Sequence, residues 1–334
     1  MTKKILVIGI GSIGRRHIRN IKFLFPNSII SLLSKSSNGT YDEEKLVHNI
    51  FRKTSDALTF SFDAIFICGP ASSHIKASLD FLKKGNNIFI EKPLSDNFVN
   101  CNNFLNYAKF SKNIIQIGYQ FKFHPSLIKL RNEIKTRKYG NLVSSKIECS
   151  SYLPKWREGR DYSKTVSASK QLGGGVILEL SHEIDYIGWI FGDYKWVKAH
   201  VSKQSSLEID VEDNANIVFG IESDRDNEIV VSLNMDFIRH DNIRQCIAIG
   251  EKGSLRWDGI KGEVAWFSKV SKEWKVIFSQ FTKQDYTYEK EIDSFFSAVE
   301  KEEVVPVTGE DGLKTVRTID AIHQSHRNNA MVTL

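Results

Sequence analysis

Six residues near the N-terminus restrict the fold more than any other part of the chain. Gly9-Ile10-Gly11-Ser12-Ile13-Gly14 follows Ile5–Ile8, a short apolar run rich in β-branched residues. It precedes Arg15–Phe25, where Ile18, Ile21, Phe23 and Leu24 fall at near-helical spacing before Pro26-Asn27 stops them. A strand that turns into a helix through GxGxxG is suited to hold a pyrophosphate. The first glycine allows a tight turn, the second lets backbone approach the phosphates, and the third lets helix and strand pack closely. The helix N-terminus then aims its amides at the anion. Gly9, Gly11, Ser12, Ile13 and Gly14 are therefore the expected cofactor contacts.

The pattern continues for about 120 residues. Ser28–Leu33, Ala64–Cys68, Asn87–Ile90 and Ile114–Gly118 read as apolar strands, with helices expected over His74–Lys84 and Asn97–Lys109. Nearly continuous apolar strands alternating with helices indicate a doubly wound parallel sheet, an α/β domain covered on both faces. In such a sheet ligands gather at the carboxyl ends of the strands, so the residues just after each strand are the next candidates.

After the second strand, where an acidic residue would hold a ribose 2′-hydroxyl, the chain reads Ser34-Lys35-Ser36-Ser37-Asn38. A lysine among serine hydroxyls suits a 2′-phosphate, so NADP is expected to be slightly preferred over NAD. After the third comes Cys68-Gly69-Pro70, leading to His74, which either faces the cofactor or caps a helix. After the fourth comes Glu91-Lys92-Pro93. A lysine at this edge is placed to take the proton of a substrate hydroxyl or to hold its oxygen.

From His124-Pro125 the texture changes. Ser126–Arg137 reads as a helix and Leu142–Leu153 as a long strand; Pro154–Leu172 is polar, aromatic and irregular. Hairpin-spaced strands then run from Trp196 to Phe278, the mark of a mostly antiparallel sheet in an α+β domain. Two amphipathic helices, about Tyr288–Glu300 and Gly309–Arg327, end the chain. The expected division is 1–123 for dinucleotide binding, 124–305 for substrate and oligomerisation, and 306–334 as a C-terminal helix packing back near the first domain.

The densest group of chemical residues lies between these regions. Gly173-Gly174-Gly175 opens an expected helix over Val176–Phe191 that carries Glu179, His182 and Asp185. On one continuous helix each carboxylate stands about 60° from the histidine, giving an oriented acid/base. The same three residues are weak metal candidates, because no second cluster completes a site, and no metal is expected.

Composition removes other classes. The net charge of +6 comes from 46 basic and 40 acidic residues interleaved along the chain, so no basic face for nucleic acid is expected. No apolar run approaches the ~18 residues of a membrane span. The four scattered cysteines form no CxxC pair, and the apolar run at the N-terminus breaks at Gly9 with Arg15 and Arg16 close behind, which suggests a reducing, cytoplasmic setting.

Together GIGSIG, CGPASSH, EKPL, GYQFKFHP, LGGGVILELSHEIDYIGWIFG and EDGLKTVRTIDAIHQS resemble the Gfo/Idh/MocA oxidoreductases, from residue 9 to about 326. The resemblance implies an N-terminal Rossmann domain and a C-terminal α/β domain whose open sheet mediates homodimers or homotetramers. It also implies hydride transfer between NAD(P) and a hydroxyl carbon of a sugar, polyol or nucleotide sugar. Its lysine falls on Lys92 and its helical histidine on His182, while Tyr119 and Gln120 fall near the nicotinamide. The inositol-type pattern has Asp four positions before the histidine; here Glu179 stands three before it. The SHEIDYIGWIFG variant looks like members tied to bacterial glycan precursors. Tyr152, Lys155, Trp156, Arg157, Arg160 and Tyr162 fall where that family's substrate loop lies, and stacking plus positive charge suits an anionic sugar. A binding-only regulator of the same fold is the alternative, as is an enzyme that re-reduces a tightly held cofactor.

Overall fold

The computed structural model describes residues 2–36, 39–157, 159–222, 228–270 and 272–334. The chain begins β1 (Lys4–Ile8), α1 (Ser12–Leu24), β2 (Ile29–Leu33), β3 (Asn49–Phe51), α2 (Thr54–Ala57), β4 (Ala64–Ile67), α3 (His74–Lys83), β5 (Asn87–Ile90), α4 (Phe98–Ala108) and β6 (Ile115–Ile117). It continues α5 (Pro125–Lys135), β7 (Leu142–Ser150), α6 (Val176–Glu179), α7 (Ser181–Phe191), β8 (Tyr194–Ser202), β9 (Asn214–Glu222), β10 (Glu228–Asp236), β11 (Ile243–Gly250) and β12 (Gly253–Asp258). Last come β13 (Glu263–Ser268), β14 (Trp274–Ser279), α8 (Tyr286–Lys301), α9 (Gly309–Asn328) and β15 (Val332–Thr333).

Two compact units result: residues 1–120 with 284–316, and residues 121–283 with 317–334. This corrects the expected boundaries. Residues 284–305 join the first unit because α8 is apolar on one side: Ile292, Phe295 and Phe296 pack into the same core as Ile5, Val7, Ile18, Phe66 and Phe89. The last long helix, α9, starts in the first unit and ends in the second.

The first unit holds a six-stranded sheet in the order β3-β2-β1-β4-β5-β6, with every pair parallel. Strand order reverses direction between β1 and β4, so a crevice is expected outside their carboxyl ends. Strand β3 was not expected; it is a three-residue edge strand too short for a periodic signal. The other edge is covered where Gln116 bridges Thr308 and the Ile117 amide donates to the Val307 carbonyl at 3.1 Å.

The second unit holds nine strands in the order β14-β13-β12-β11-β7-β10-β9-β8-β15. All its pairs are antiparallel except β7 with β10. Burial alternates along β10, where Ile229, Val231, Leu233 and Met235 are inside and Glu228, Val230 and Ser232 are exposed. One face therefore packs on the core with Val176, Ile177, Ile184 and Ile187, and the other stays open. No helix among the described residues is long and apolar enough to cross a membrane.

Candidate active site

The glycine turn has the expected form. Gly9 sits at φ +104°, a backbone state that favours glycine. A Cβ on Gly14 would lie 2.1 Å from the Gly9 carbonyl oxygen, so this position admits no larger residue. A Cβ on Gly11 would meet nothing within 4 Å. Packing therefore does not require glycine at 11; close approach by a ligand would. Gly11 also caps α1 with no side-chain hydrogen bond, so the cap residue itself leaves the first-turn amides of Ser12 and Ile13 to other partners. Gly11 and Ser12 are exposed, Ile13 half-buried and Gly14 buried. These residues fit a dinucleotide pyrophosphate.

Beyond β2, Ser34 is buried, its amide donating to the Phe51 carbonyl at 3.0 Å, while Lys35 is exposed. The sequence reading missed Arg52, whose guanidinium donates to the Ser34 carbonyl at 2.8 Å. It was hidden because β3 itself was hidden. Ser37, also expected here, lies outside the described residues.

Beyond β4, Cys68 is buried and burial pushes its thiol well up, with Glu91 and Glu291 adding to the effect. Pro70 opens the short turn Ala71–Ser73. His74 neither caps α3 through its ring nor offers it outward. Its Nδ1 lies 2.9 Å from the Pro93 carbonyl oxygen and its Nε2 2.9 Å from that of Gly69. The ring thus ties the loop after β4 to the loop after β5. Burial lowers its pKa against the pull of the two carbonyls.

Beyond β5, Glu91 is buried and Lys92 half-buried, with a cis peptide bond from Lys92 to Pro93. Glu91 Oε1 lies 2.5 Å from His17 Nε2, and Oε2 accepts the Lys92 amide at 3.2 Å. Tyr119 is fully buried beyond β6. The Gln120 side chain accepts a hydrogen bond from the Thr287 hydroxyl. His17, Glu91 and Glu291 are the one group of His, Cys, Asp and Glu among the described residues whose donor atoms lie close enough together to hold an ion, all within 4.8 Å.

In the second unit the triple glycine has a physical reason. A Cβ on Gly174 would lie 2.3 Å from the Val166 carbonyl oxygen, and Gly175 sits at φ +107° against the Glu212 carboxylate. The helix beyond is not continuous. Leu180, at φ −97° and ψ 24°, divides α6 from α7. The 100° per residue count therefore fails between Glu179 and His182, and the paired-carboxylate arrangement is corrected: of Glu179 and Asp185, only Asp185 shares a helix with His182. Glu179 is half-buried on the preceding turn.

His182 is buried and packs edge-on against Phe121, with centroids 4.9 Å apart and planes at 86°. Arg244 also lies over the Phe121 ring, 4.5 Å from its centroid, and pairs with fully buried Glu183 at 2.8 Å. Lys122 pairs with Asp185 at 3.5 Å, both side chains almost fully buried. Neither Lys122 nor Arg244 was singled out from sequence, since each acts through a partner distant along the chain. Nearby, Trp257 donates to the Ser126 hydroxyl at 2.8 Å, which lies 2.9 Å from His124 Nδ1. Burial, then Arg244, lowers the His124 pKa to about 4, so this ring is neutral.

The segment expected to carry substrate contacts is built of short 3-10 turns at Leu153–Lys155, Tyr162–Lys164, Val166–Ala168 and Lys170–Leu172. Tyr152 stacks on His240 at 4.1 Å, and Trp156 donates to Ser151 at 2.7 Å while packing on Phe237. Arg157 is half-buried; Lys155 and Arg160 are exposed. The Tyr162 hydroxyl accepts the Glu208 amide at 3.2 Å.

Comparison with known proteins identifies the family. Residues 3–119 match the NAD-binding Rossmann fold of an oxidoreductase family, and residues 131–334 match its C-terminal alpha/beta domain. The chain belongs to this family, the Gfo/Idh/MocA oxidoreductases. It is a nicotinamide-dependent oxidoreductase, which decides between the enzyme and the binding-only regulator. It is 27% identical over 345 residues to a Bacillus subtilis (strain 168) protein named uncharacterized oxidoreductase YrbE, covering 97% of this chain and 95% of that one. It is 23% identical over 260 residues to inositol 2-dehydrogenase of Salmonella typhimurium (strain LT2), covering 76% and 73%. The fold matches that of the WlbA dehydrogenase from Bordetella pertussis, solved in complex with NADH and UDP-GlcNAcA. That match has a TM-score of 0.84 at 16% identity over 100% of this chain and 99% of the other.

Proposed function

We propose that the chain transfers hydride between a nicotinamide dinucleotide and the hydroxyl-bearing carbon of a sugar, polyol or nucleotide sugar, with a bacterial glycan precursor as the leading substrate. The observation that carries this reading is the order β1-β4-β5: three adjacent strand ends present Gly9–Gly14, Cys68–Pro70 and Glu91–Lys92 along one edge of the sheet. Gly11, Ser12 and Ile13 hold the pyrophosphate. Lys35 and Arg52 near the end of β2 favour the extra phosphate of NADP(H). When bound, the nicotinamide gives or takes the hydride. Lys92 and His182 divide the remaining work, one moving the hydroxyl proton and the other holding the oxygen as negative charge develops there. Asp185, paired with Lys122, and the Phe121–Arg244 support keep the histidine ring in place.

A relative named inositol 2-dehydrogenase and a structural neighbour solved in complex with UDP-GlcNAcA support a polyol or nucleotide-sugar substrate. The aromatic and basic side chains Tyr152, Trp156 and Arg157 suit its ring and charge. Copies of the chain associate through the open face of the nine-stranded sheet, where a cavity of about 840 Å³ is lined by Lys146, Glu148, Lys198, His200, Asn216 and Asn234. Four buried, reduced cysteines accord with a cytoplasmic setting.

The test follows reduced-nicotinamide absorbance with NAD and NADP in turn across a panel of sugars, polyols and nucleotide sugars. Turnover with a member of the panel, faster with NADP, is the expected result; a clear preference for NAD removes the cofactor assignment. Lys92→Ala should lower turnover by roughly 10²-fold or more with dinucleotide affinity unchanged. Near-normal turnover in that variant would take Lys92 out of the mechanism.

A further inference from the structure

We propose that Glu91 and Glu291 form a buried carboxyl pair carrying one proton, resident on Glu291, and that Glu291 is thereby a positioning residue for the loop that bears Lys92. The catalytic half of this inference rests on the function proposed above; the proton itself does not.

Glu291 projects from α8 and is fully buried, and neither of its carboxyl oxygens has a hydrogen-bond partner. An ionised carboxylate so placed lacks both solvent and compensation, which burial makes costly. A second carboxylate makes matters worse. Glu91 stands across from it, with the nearest donor atoms of His17, Glu91 and Glu291 all within 4.8 Å of one another. Two negative charges at that separation in an apolar enclosure do not coexist, and one of the pair keeps its proton.

Glu91 is the member of the pair that has polar partners. Its Oε1 is 2.5 Å from His17 Nε2 and its Oε2 accepts the Lys92 amide at 3.2 Å, whereas Glu291 has no such donors. Burial, then Glu91, raises the Glu291 carboxyl well above its ordinary value. The other groups around the pair do not reverse this. From α1, Arg16 is engaged by Asp285 at 3.0 Å and stacks over Tyr288. Cys68 after β4 and Tyr288 on α8 are both neutral, burial raising the first well above its ordinary value and the second to about 12. From β6, Gln116 donates to the Glu291 backbone carbonyl at 3.0 Å rather than to its carboxyl. Lys92 follows Glu91 directly and is half-buried.

The consequence reaches Lys92 through Glu91. A Cβ on Gly118 would lie 3.3 Å from the Glu91 carboxyl, so the Glu91 side chain is wedged between β6 and His17 with little room to turn. Its carboxylate holds the Lys92 amide on one side of the loop, and His74 holds the Pro93 carbonyl on the other. A second charge on Glu291 would push Glu91 off both partners and release the loop.

The test compares the wild-type chain with Glu291→Gln by denaturant unfolding from about pH 5 to pH 9. A carboxyl whose folded pKa is raised favours folding most at low pH, and the benefit is lost as pH rises above the ordinary carboxyl value. The ratio of folding constants, variant over wild type, should therefore rise by about tenfold per pH unit over that range, up to the titration of Glu291 itself. A protonated-carboxyl stretch in the wild-type infrared spectrum at pH 7, absent from Glu291→Gln, gives the same answer without unfolding. Parallel stability curves, absence of that band, or one equivalent of bound metal by elemental analysis would each overturn the pair. For the positioning role, the alkaline limb of kcat in wild type should move to higher pH in Glu291→Gln; an unchanged limb overturns that role. Absence of turnover in both proteins with every substrate and cofactor tried would instead count against the hydride-transfer reading, with the stability and infrared results still deciding the proton.

Discussion

In the six-stranded sheet, β4 is buried at every position and β1 at Ile5, Leu6 and Val7, so no side chain along these strands is left for chemistry. The glycine turn and the candidate groups Ser34, Cys68 and Lys92 of that unit sit where strands stop. The nine-stranded sheet is the opposite case. Its alternating strands bury one face and leave the other polar, and its candidate groups come from elements packed on the buried face and from the open face itself. A sheet covered on both sides can act only through its ends, whereas a half-covered sheet can also act through its surface. A motif in a row of strand ends is contiguous in sequence. A site built on a face draws on residues such as Lys122, Asp185 and Arg244 that only folding brings together.

Substitutions can break this contrast. The largest effect should come from Gly14→Ala, whose new Cβ overlaps the Gly9 carbonyl: about 4 kcal/mol or more of stability, read by denaturant unfolding. Gly11→Ala is its control, with stability changed by less than about 0.5 kcal/mol while titration shows dinucleotide affinity reduced roughly tenfold. Equal effects at both positions would mean that the turn serves packing alone. On the other unit, the His124 pKa is depressed to about 4. A histidine with a lowered folded pKa gives its full contribution above the unfolded value and loses it as pH falls. Stability should thus decline by up to about 3 kcal/mol between roughly pH 6.5 and pH 4, and His124→Gln should flatten that decline in acid unfolding curves. Last, Asn216→Arg with Ser232→Arg adds charge beside Lys146 and Lys198 on the open face. On the association proposed above, light scattering should then report the 38.1 kDa of one chain where the unsubstituted protein reports a multiple of it, at a cost in stability of at most about 1 kcal/mol. An unchanged mass would move the association surface elsewhere.

Much of the first unit was legible because its signals are local. Asn87–Ile90 is a strand over the range its apolar run gives, and α3 and α4 end within a residue of their expected stops. What escaped was short or non-local: the three-residue β3, and with it Arg52; the placement of α8 in the first unit. In the second unit the apolar run Val176–Phe191 gave the helical composition but concealed the break at Leu180, because apolar residues flank it on both sides.

The sequence by itself determined that a glycine turn follows the first strand and opens a helix, that a lysine closes the strand ending at Ile90, and that two sheets of different kind follow one another. Backbone steric limits and hydrophobic period act between neighbours, so they are readable residue by residue. Only the tertiary structure decided which carboxylate shares a helix with His182, that Lys122 faces Asp185, and that Glu291 is sealed beside Glu91. Those outcomes depend on which distant groups exclude water from one another, and burial of that kind is a property of the packed chain rather than of any stretch of it.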